Sequence, residues 1–254
     1  MLLTIDIGNT NLTLGLYQGK ELGSRWRLAT VHDRMPDEYG LQLLGLLTHA
    51  GCLPSDISGI CLASVVPPLT GIVVEACQRY LETDPLIVDT GVKTGVRIRY
   101  EDPRAVGADR VADAAAVQQL YGGPACVVDF GTATTFDGIS KEGDYLGGAI
   151  APGIGIAAEA LFLRTAKLPR VDLHRPPTAI GRNTVHAMQS GLLFGYAALV
   201  EGMVARFRLE LGPEMKVIAT GGLAEVVAKE TEVLKIIAPW LTLEGLRIIW
   251  DLNR

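Results

Sequence analysis

The sequence predicts an α/β protein built from two copies of one plan, each copy a mixed sheet with helices packed on it. Three observations predict this. Apolar-rich runs of strand length alternate with longer runs of helical period. A three-strand meander opens the chain and recurs from residue 125. In both meanders the first strand ends on an Asp and turns through a Gly, as Asp6-Ile7-Gly8-Asn9-Thr10 and as Asp129-Phe130-Gly131-Thr132-Ala133. A repeat of this length is far longer than the ~20–50 residues of a solenoid unit, so it reads as a duplicated domain.

The elements follow in order. LLTIDI, LTLGLY and ELGSRWRL are strands, separated by the turns GNTN and QGK at hairpin spacing. PDEYGLQLLGLLTHAG opens with Pro and acids and closes on Gly, the punctuation of a helix. GICLASVV is a buried-strand run, and LTGIVVEACQRYL is again helical in period. The loop EDPRAVG leads into the alanine-rich helix ADRVADAAAVQQL, stopped by two glycines.

The second copy repeats the plan. ACVVDF, TFDGIS and YLGGAIAPG are its strands, joined by GTAT and KEGD. IGIAAEALFLRTAKL is a helix, and a long helix lies within 181–212. MKVIAT is a strand before Thr220-Gly221-Gly222, and LAEVVAKE is a short helix. YGGP supplies the break, which divides the chain into 1–118 and 119–254. The segment 164–180, rich in Pro and Arg, is expected to be a loop that moves with substrate.

Composition narrows the class of function. The chain has 254 residues, 48% apolar and 20% charged, with a net charge of −5. That balance argues against general nucleic-acid affinity, which needs a positive surface. No apolar run approaches the roughly 20 residues that span a bilayer. The N-terminus shows no basic region and cleavage site, so no secretory signal is expected. Cys52, Cys61, Cys77 and Cys126 form no C-x-x-C and read as core residues in a reducing, cytoplasmic setting. His32, His49, His174 and His186 make no pair at metal spacing.

The duplicated turn has chemistry to offer. Gly8 and Gly131 let backbone approach a ligand. Asn9, Thr10, Asn11, Thr132 and Thr134 carry donors, and clustered N–H groups form an anion-binding concavity. Two halves of this kind would face each other across a cleft and grip a polyphosphate. Asp6 and Asp129 would act through a cation, since like charges repel. A lone turn of this type also serves any hairpin; its duplication is what favours a nucleotide. No G-x-x-x-x-G-K-[ST] is present, which excludes a Walker-type site.

Six motifs then identify a family. DIGNTN at 6–11, GADR at 107–110, DFGTATT at 129–135, GGAIAPG at 147–153, GRNTVHAMQSG at 181–191 and TGG at 220–222 resemble type III pantothenate kinase. LEGL at 243–246 is similar to that family's ending. The family lies within the acetate kinase, sugar kinase, heat-shock chaperone and actin superfamily. The resemblance implies two duplicated ribonuclease H-like domains in an actin-like ATPase fold. It implies an enzyme that phosphorylates pantothenate with ATP to 4′-phosphopantothenate, the first step of coenzyme A biosynthesis.

The resemblance also assigns roles. Asp109 would be the catalytic base, although an Asp there also satisfies the free N–H groups of a helix start. Tyr100, Gly107, Ala108, Asp109, Arg110 and Thr184 would bind pantothenate. Asp6, Ile7, Gly8, Asn9, Thr10, Asn11, Leu12, Thr13 and Thr132 would bind ATP. Asp129 would hold a monovalent cation, potassium or ammonium, and magnesium would arrive with ATP. Asp137 is expected behind these groups. A homodimer is implied, with the Thr184 position supplied by the second copy. The apolar stretch at 187–205 fits that interface, although the sequence by itself favours a buried core helix there. Two alternatives share the fold: an ATP-binding accessory protein of transcription, and a kinase for another small hydroxy compound. The joint presence of Tyr100, Asp109 and Arg110 favours pantothenate kinase.

Overall fold

The computed structural model describes residues 1–254. The chain divides into two compact units, 1–121 together with 241–254, and 122–240. The division read from the sequence left 241–254 with the second half. Here that segment packs with the first, because its apolar face lies on the first sheet.

In the first unit, β1 (Leu2–Ile7), β2 (Asn11–Gln18) and β3 (Glu21–Ala29) form the expected meander. Then come α1 (Pro36–His49), β4 (Gly59–Ser64), α2 (Pro67–Leu81), β5 (Leu86–Ile87) and α3 (Ala108–Leu120). The helix α7 (Leu241–Asn253) returns to complete it. The strand order is β3-β2-β1-β4-β5, with β1 antiparallel to β2 and parallel to β4.

Strand alternation divides the work of the two faces. Leu3, Ile5, Ile7, Leu12, Leu14, Ile60 and Leu62 meet Tyr39, Leu43 and Leu47 of α1 and Leu69 and Val73 of α2 in one core. The other face carries Thr4 and Asp6 and is covered by α7, which also packs along α3. The alanines of α3 are buried in sequence from Val111 to Val117, so this helix has almost no solvent side.

In the second unit, β6 (Ala125–Phe130), β7 (Ala133–Ile139) and β8 (Tyr145–Pro152) repeat the meander. They are followed by α4 (Ile154–Arg164), α5 (Thr184–Leu211), β9 (Lys216–Thr220), α6 (Ala224–Ala228) and β10 (Ile236–Ile237). The order β10-β9-β6-β7-β8 reproduces the first sheet strand for strand. Its core joins Cys126, Val128, Phe130 and Phe136 to Leu192, Val200 and Val204 of α5.

Two expectations change. The α4 helix stops at Arg164 rather than running to 168, and 165–183 is irregular. That segment is tied to α5 by Gln189 Nε2 donating to Asp172 O at 3.0 Å and Ser190 Oγ donating to Ala179 O at 2.6 Å. Thr134 pairs opposite Phe130 on the core face and is buried, so it is not a donor at the turn. Asp137, also buried, accepts from Tyr145 Oη at 2.8 Å and from Oγ1 of Thr135, the register partner of Asp129, at 3.2 Å. All four cysteines are buried thiols.

Candidate active site

The first turn is built at the end of β1. Asp6 sits opposite Thr13 on β2 and Ala63 on β4. The last paired rung is Ile7 with Leu12, leaving residues 8–11 as the connection. Gly8 N–H donates to Asn11 O at 3.0 Å, and a Cβ on Gly8 would come within 3.1 Å of that oxygen. Asn9, Thr10 and Asn11 stand exposed. Ile7 and Leu12 do not: their side chains lie in the core, so only their backbone faces the turn.

Thr30, at the end of β3, braces this turn. Its Oγ1 donates to Gly8 O at 2.6 Å and its N–H to Thr10 O at 2.9 Å. Sequence reasoning passes over it because nothing local marks a contact across 22 residues.

The second turn is one residue shorter. Its last rung is Phe130 with Thr134, so residues 131–133 make the connection. Gly131 and Thr132 are exposed. Asp129 sits opposite Thr135 on β7 and Thr220 on β9, so a carboxylate and two hydroxyls share one sheet face. Gly221 follows with φ +88°, and a Cβ there would lie 2.3 Å from Asp129 Oδ1. The glycine therefore makes room for the carboxylate.

Gly153, the residue before α4, abuts the same turn: a Cβ on it would lie 2.1 Å from Thr132 O. The first-turn N–H groups of α4 and its dipole thus add positive potential beside Thr132. A Gly immediately before a helical run is the signal that could have flagged it.

The GADR segment opens α3. Asp109 lies in the first turn, and its Oδ1 accepts the Arg110 N–H at 2.8 Å. A Cβ on Gly107 would lie 2.5 Å from that same Oδ1, so the absent side chain at 107 leaves the carboxylate its space. A cavity of about 950 Å³ lies beside this helix start. Its walls include Ser64 and Thr70 of the β4–α2 corner, Thr94 and Val96, and Gly107 and Ala108. Asp109, Arg110 and Tyr100 are not among its wall residues; Tyr100 is exposed on the segment before α3. Thr184 is the exposed first residue of α5 in the second unit, next to its cap Asn183.

Comparison with known proteins decides the family. A model of the type III pantothenate kinase family matches residues 2–206. The chain belongs to the type III pantothenate kinase family. A type III pantothenate kinase of Moorella thermoacetica is 54% identical over 253 residues, covering all of both chains. One from Roseiflexus sp. is 52% identical over 254 residues, also covering both. Among solved structures, a Baf-family transcriptional activator of Campylobacter jejuni aligns with a TM-score of 0.61 at 21% identity, over 98% of this chain and 97% of that one. An activator of 2-hydroxyisocaproyl-CoA dehydratase from Clostridium difficile, solved with bound ADPNP, aligns at 0.58 and 14% identity, over 99% and 94%. At these identities the structures speak for fold alone. They bear out two mixed sheets with helices on the plan of duplicated ribonuclease H-like domains. No helix is long and apolar enough to cross a membrane.

Proposed function

We propose that the protein transfers the γ-phosphoryl group of ATP to the primary hydroxyl of pantothenate, with Asp109 as the base, as the first step of coenzyme A synthesis. The observation that carries the reading is the start of α3. There Asp109 stands over a glycine, and Gly107 and Ala108 border a cavity large enough for a small acceptor. The hydroxyl oxygen bonds to the γ-phosphorus, the bridging P–O bond to ADP breaks, and the hydroxyl proton passes to the Asp109 carboxylate. An Asp with an ordinary pKa near ~3.9 is a weak base, but phosphoryl transfer rests mainly on positioning and charge neutralisation. Asp109 chiefly orients the hydroxyl and takes its proton late.

In each unit the Asp-x-Gly turn takes part in holding ATP phosphates, through Asn9, Thr10 and Asn11 in one and Thr132 in the other. Magnesium bound to ATP neutralises charge on the phosphates. Asp129 with Thr135 and Thr220 is an all-oxygen donor set, which suits a hard cation such as potassium. Tyr100 and Arg110 contact pantothenate. The protein acts in the cytoplasm as a homodimer, and Thr184 reaches the acceptor from the second copy. Support for the dimer lies on α5: one face is core, while Ala187, Gly191, Gly195 and Ala198 are exposed, a surface that lets a second helix approach closely.

The test is ADP release from purified protein with magnesium-ATP and pantothenate, with and without potassium. Pantothenate-dependent turnover is expected, and Asp109→Asn should lower kcat by roughly 10²–10⁴-fold. Absence of pantothenate-dependent turnover under any cation overturns the substrate. Full activity in Asp109→Asn removes Asp109 as the base.

A further inference from the structure

The helix α7 is wedged between two parts of the first unit. On one side, Leu243 reaches the sheet face that carries Asp6: a Cβ on Gly15 would lie 2.9 Å from Leu243 Cδ1 and 2.9 Å from Thr4 Oγ1. Thr4 and Gly15 are register partners, two residues along their strands from Asp6 and Thr13. On the other side, Gly245 touches α3: a Cβ there would lie 1.9 Å from Ala112 O and 2.4 Å from its carbonyl carbon. Residues two apart on a helix point about 200° apart, so α7 fills the space between sheet and α3. Ala112 lies about one turn beyond Asp109.

The wedge is held in one orientation. Arg247, 5% exposed, donates to Glu244 at 3.3 Å and Asp251 at 3.0 Å, and its guanidinium lies 5.9 Å from the Tyr17 ring centre. Trp250 fills the space beside Gly59, where a Cβ would come within 2.0 Å of its ring.

We infer that α7 is a positioning element for phosphoryl transfer, and that Gly245 sets where Asp109 stands relative to Asp6. This rests on the reading of Asp109 as base. The clash at residue 245 is with backbone, which no rotamer change relieves. Normal carbon contacts of about 3.5 Å or more would require α3 and α7 to separate by roughly 1.5 Å. A misplacement of about 1 Å at a reacting group can cost about 10²-fold in rate.

The experiment is steady-state kinetics of Gly245→Ala beside Gly45→Ala, a control on an exposed position of α1 with open space around it. Gly245→Ala is expected to lower kcat by roughly ten- to a hundredfold while KM for ATP stays within about twofold. Gly45→Ala is expected to match the parent. In an Asp109→Asn background, Gly245→Ala should cost less than about threefold further, because its effect runs through that carboxylate. An unchanged kcat in folded Gly245→Ala overturns the inference, as does an undiminished loss in the double variant. Where Gly245→Ala does not fold, Leu243→Ala removes the wedge from its other side without a clash; wild-type kcat in it overturns the inference. Full activity in Asp109→Asn overturns the base assignment itself, a different result from an inactive Asp109→Asn paired with an unaffected Gly245→Ala.

Discussion

Gly221 stands against Asp129, with no room between them for a methyl group: a Cβ on the glycine would lie 2.3 Å from Asp129 Oδ1. Its φ of +88° adds a second constraint, since L-residues reach that region at a cost of about 1–2 kcal/mol. Gly221→Ala is therefore expected to push the carboxylate off its place opposite Thr220 and Thr135. On the proposal that Asp129 holds potassium, the concentration of that ion for half-maximal activity should rise by about tenfold or more, the counterpart of ~1.4 kcal/mol of lost cation binding. An activity titration with potassium chloride checks this; an unchanged curve would show that Asp129 is not the cation's ligand.

Thr30 is the brace of the first turn. Thr30→Val removes the hydroxyl that donates to Gly8 O and leaves the N–H bond to Thr10 O. One neutral hydrogen bond is worth about 1 kcal/mol, so KM for ATP should rise about fivefold with kcat nearly unchanged. Parallel kinetics with ATP and pantothenate varied in turn will separate this from a general loss of activity.

Burial pushes the Cys61 and Cys77 thiols up from about 9 to about 12. A raised folded pKa means that the folded state holds protons the unfolded chain releases. Their contribution is fully present below about pH 9 and is lost as pH rises towards about 12. Between pH 8 and 10 each thiol should cost about 1 kcal/mol of stability. Urea midpoints of the parent and of Cys61→Ala/Cys77→Ala at the two pH values test this, and the variant should lose less.

Arg247 is nearly buried, while its partners Glu244 and Asp251 are about a quarter exposed, 26% and 29%. Arg247→Ala should destabilise the fold by about 2–3 kcal/mol, below the full cost of orphaning a deeply buried charge, because water reaches both carboxylates. Arg247→Met, which keeps the packing on Tyr17, should cost less. Thermal unfolding of the two variants ranks them; equal losses would assign the effect to charge alone.

Much of the fold was legible because its strongest elements obey local rules. Strand β1 and strand β6 are runs buried on both faces, and their Asp-x-Gly ends repeat. The strands β5 and β10 were not legible: each is two residues long, and only the parallel neighbour makes it a strand. The helix α7 showed only as the motif LEGL, and no local signal says that it returns to the first sheet. Within the site, the exposed turn residues could be picked out by type. Ile7, Leu12 and Thr134 could not be sorted from them, because strand register decides which face a side chain takes. Thr30, Gly153 and Gly245 act through contacts distant in sequence, which one-dimensional spacing does not display.

The return of α7 also orders events during synthesis. The first unit contains β1, the Asp6 turn and α3, yet it lacks its wedge until residues 241–253 have been made, after the whole of 122–240. Domains otherwise tend to fold from the N-terminus as they emerge. Here a nascent chain would carry α3 with one flank bare, and only a chain that has reached α7 would have that flank covered. The packing of the first unit is in this way completed only in molecules whose translation has passed the second.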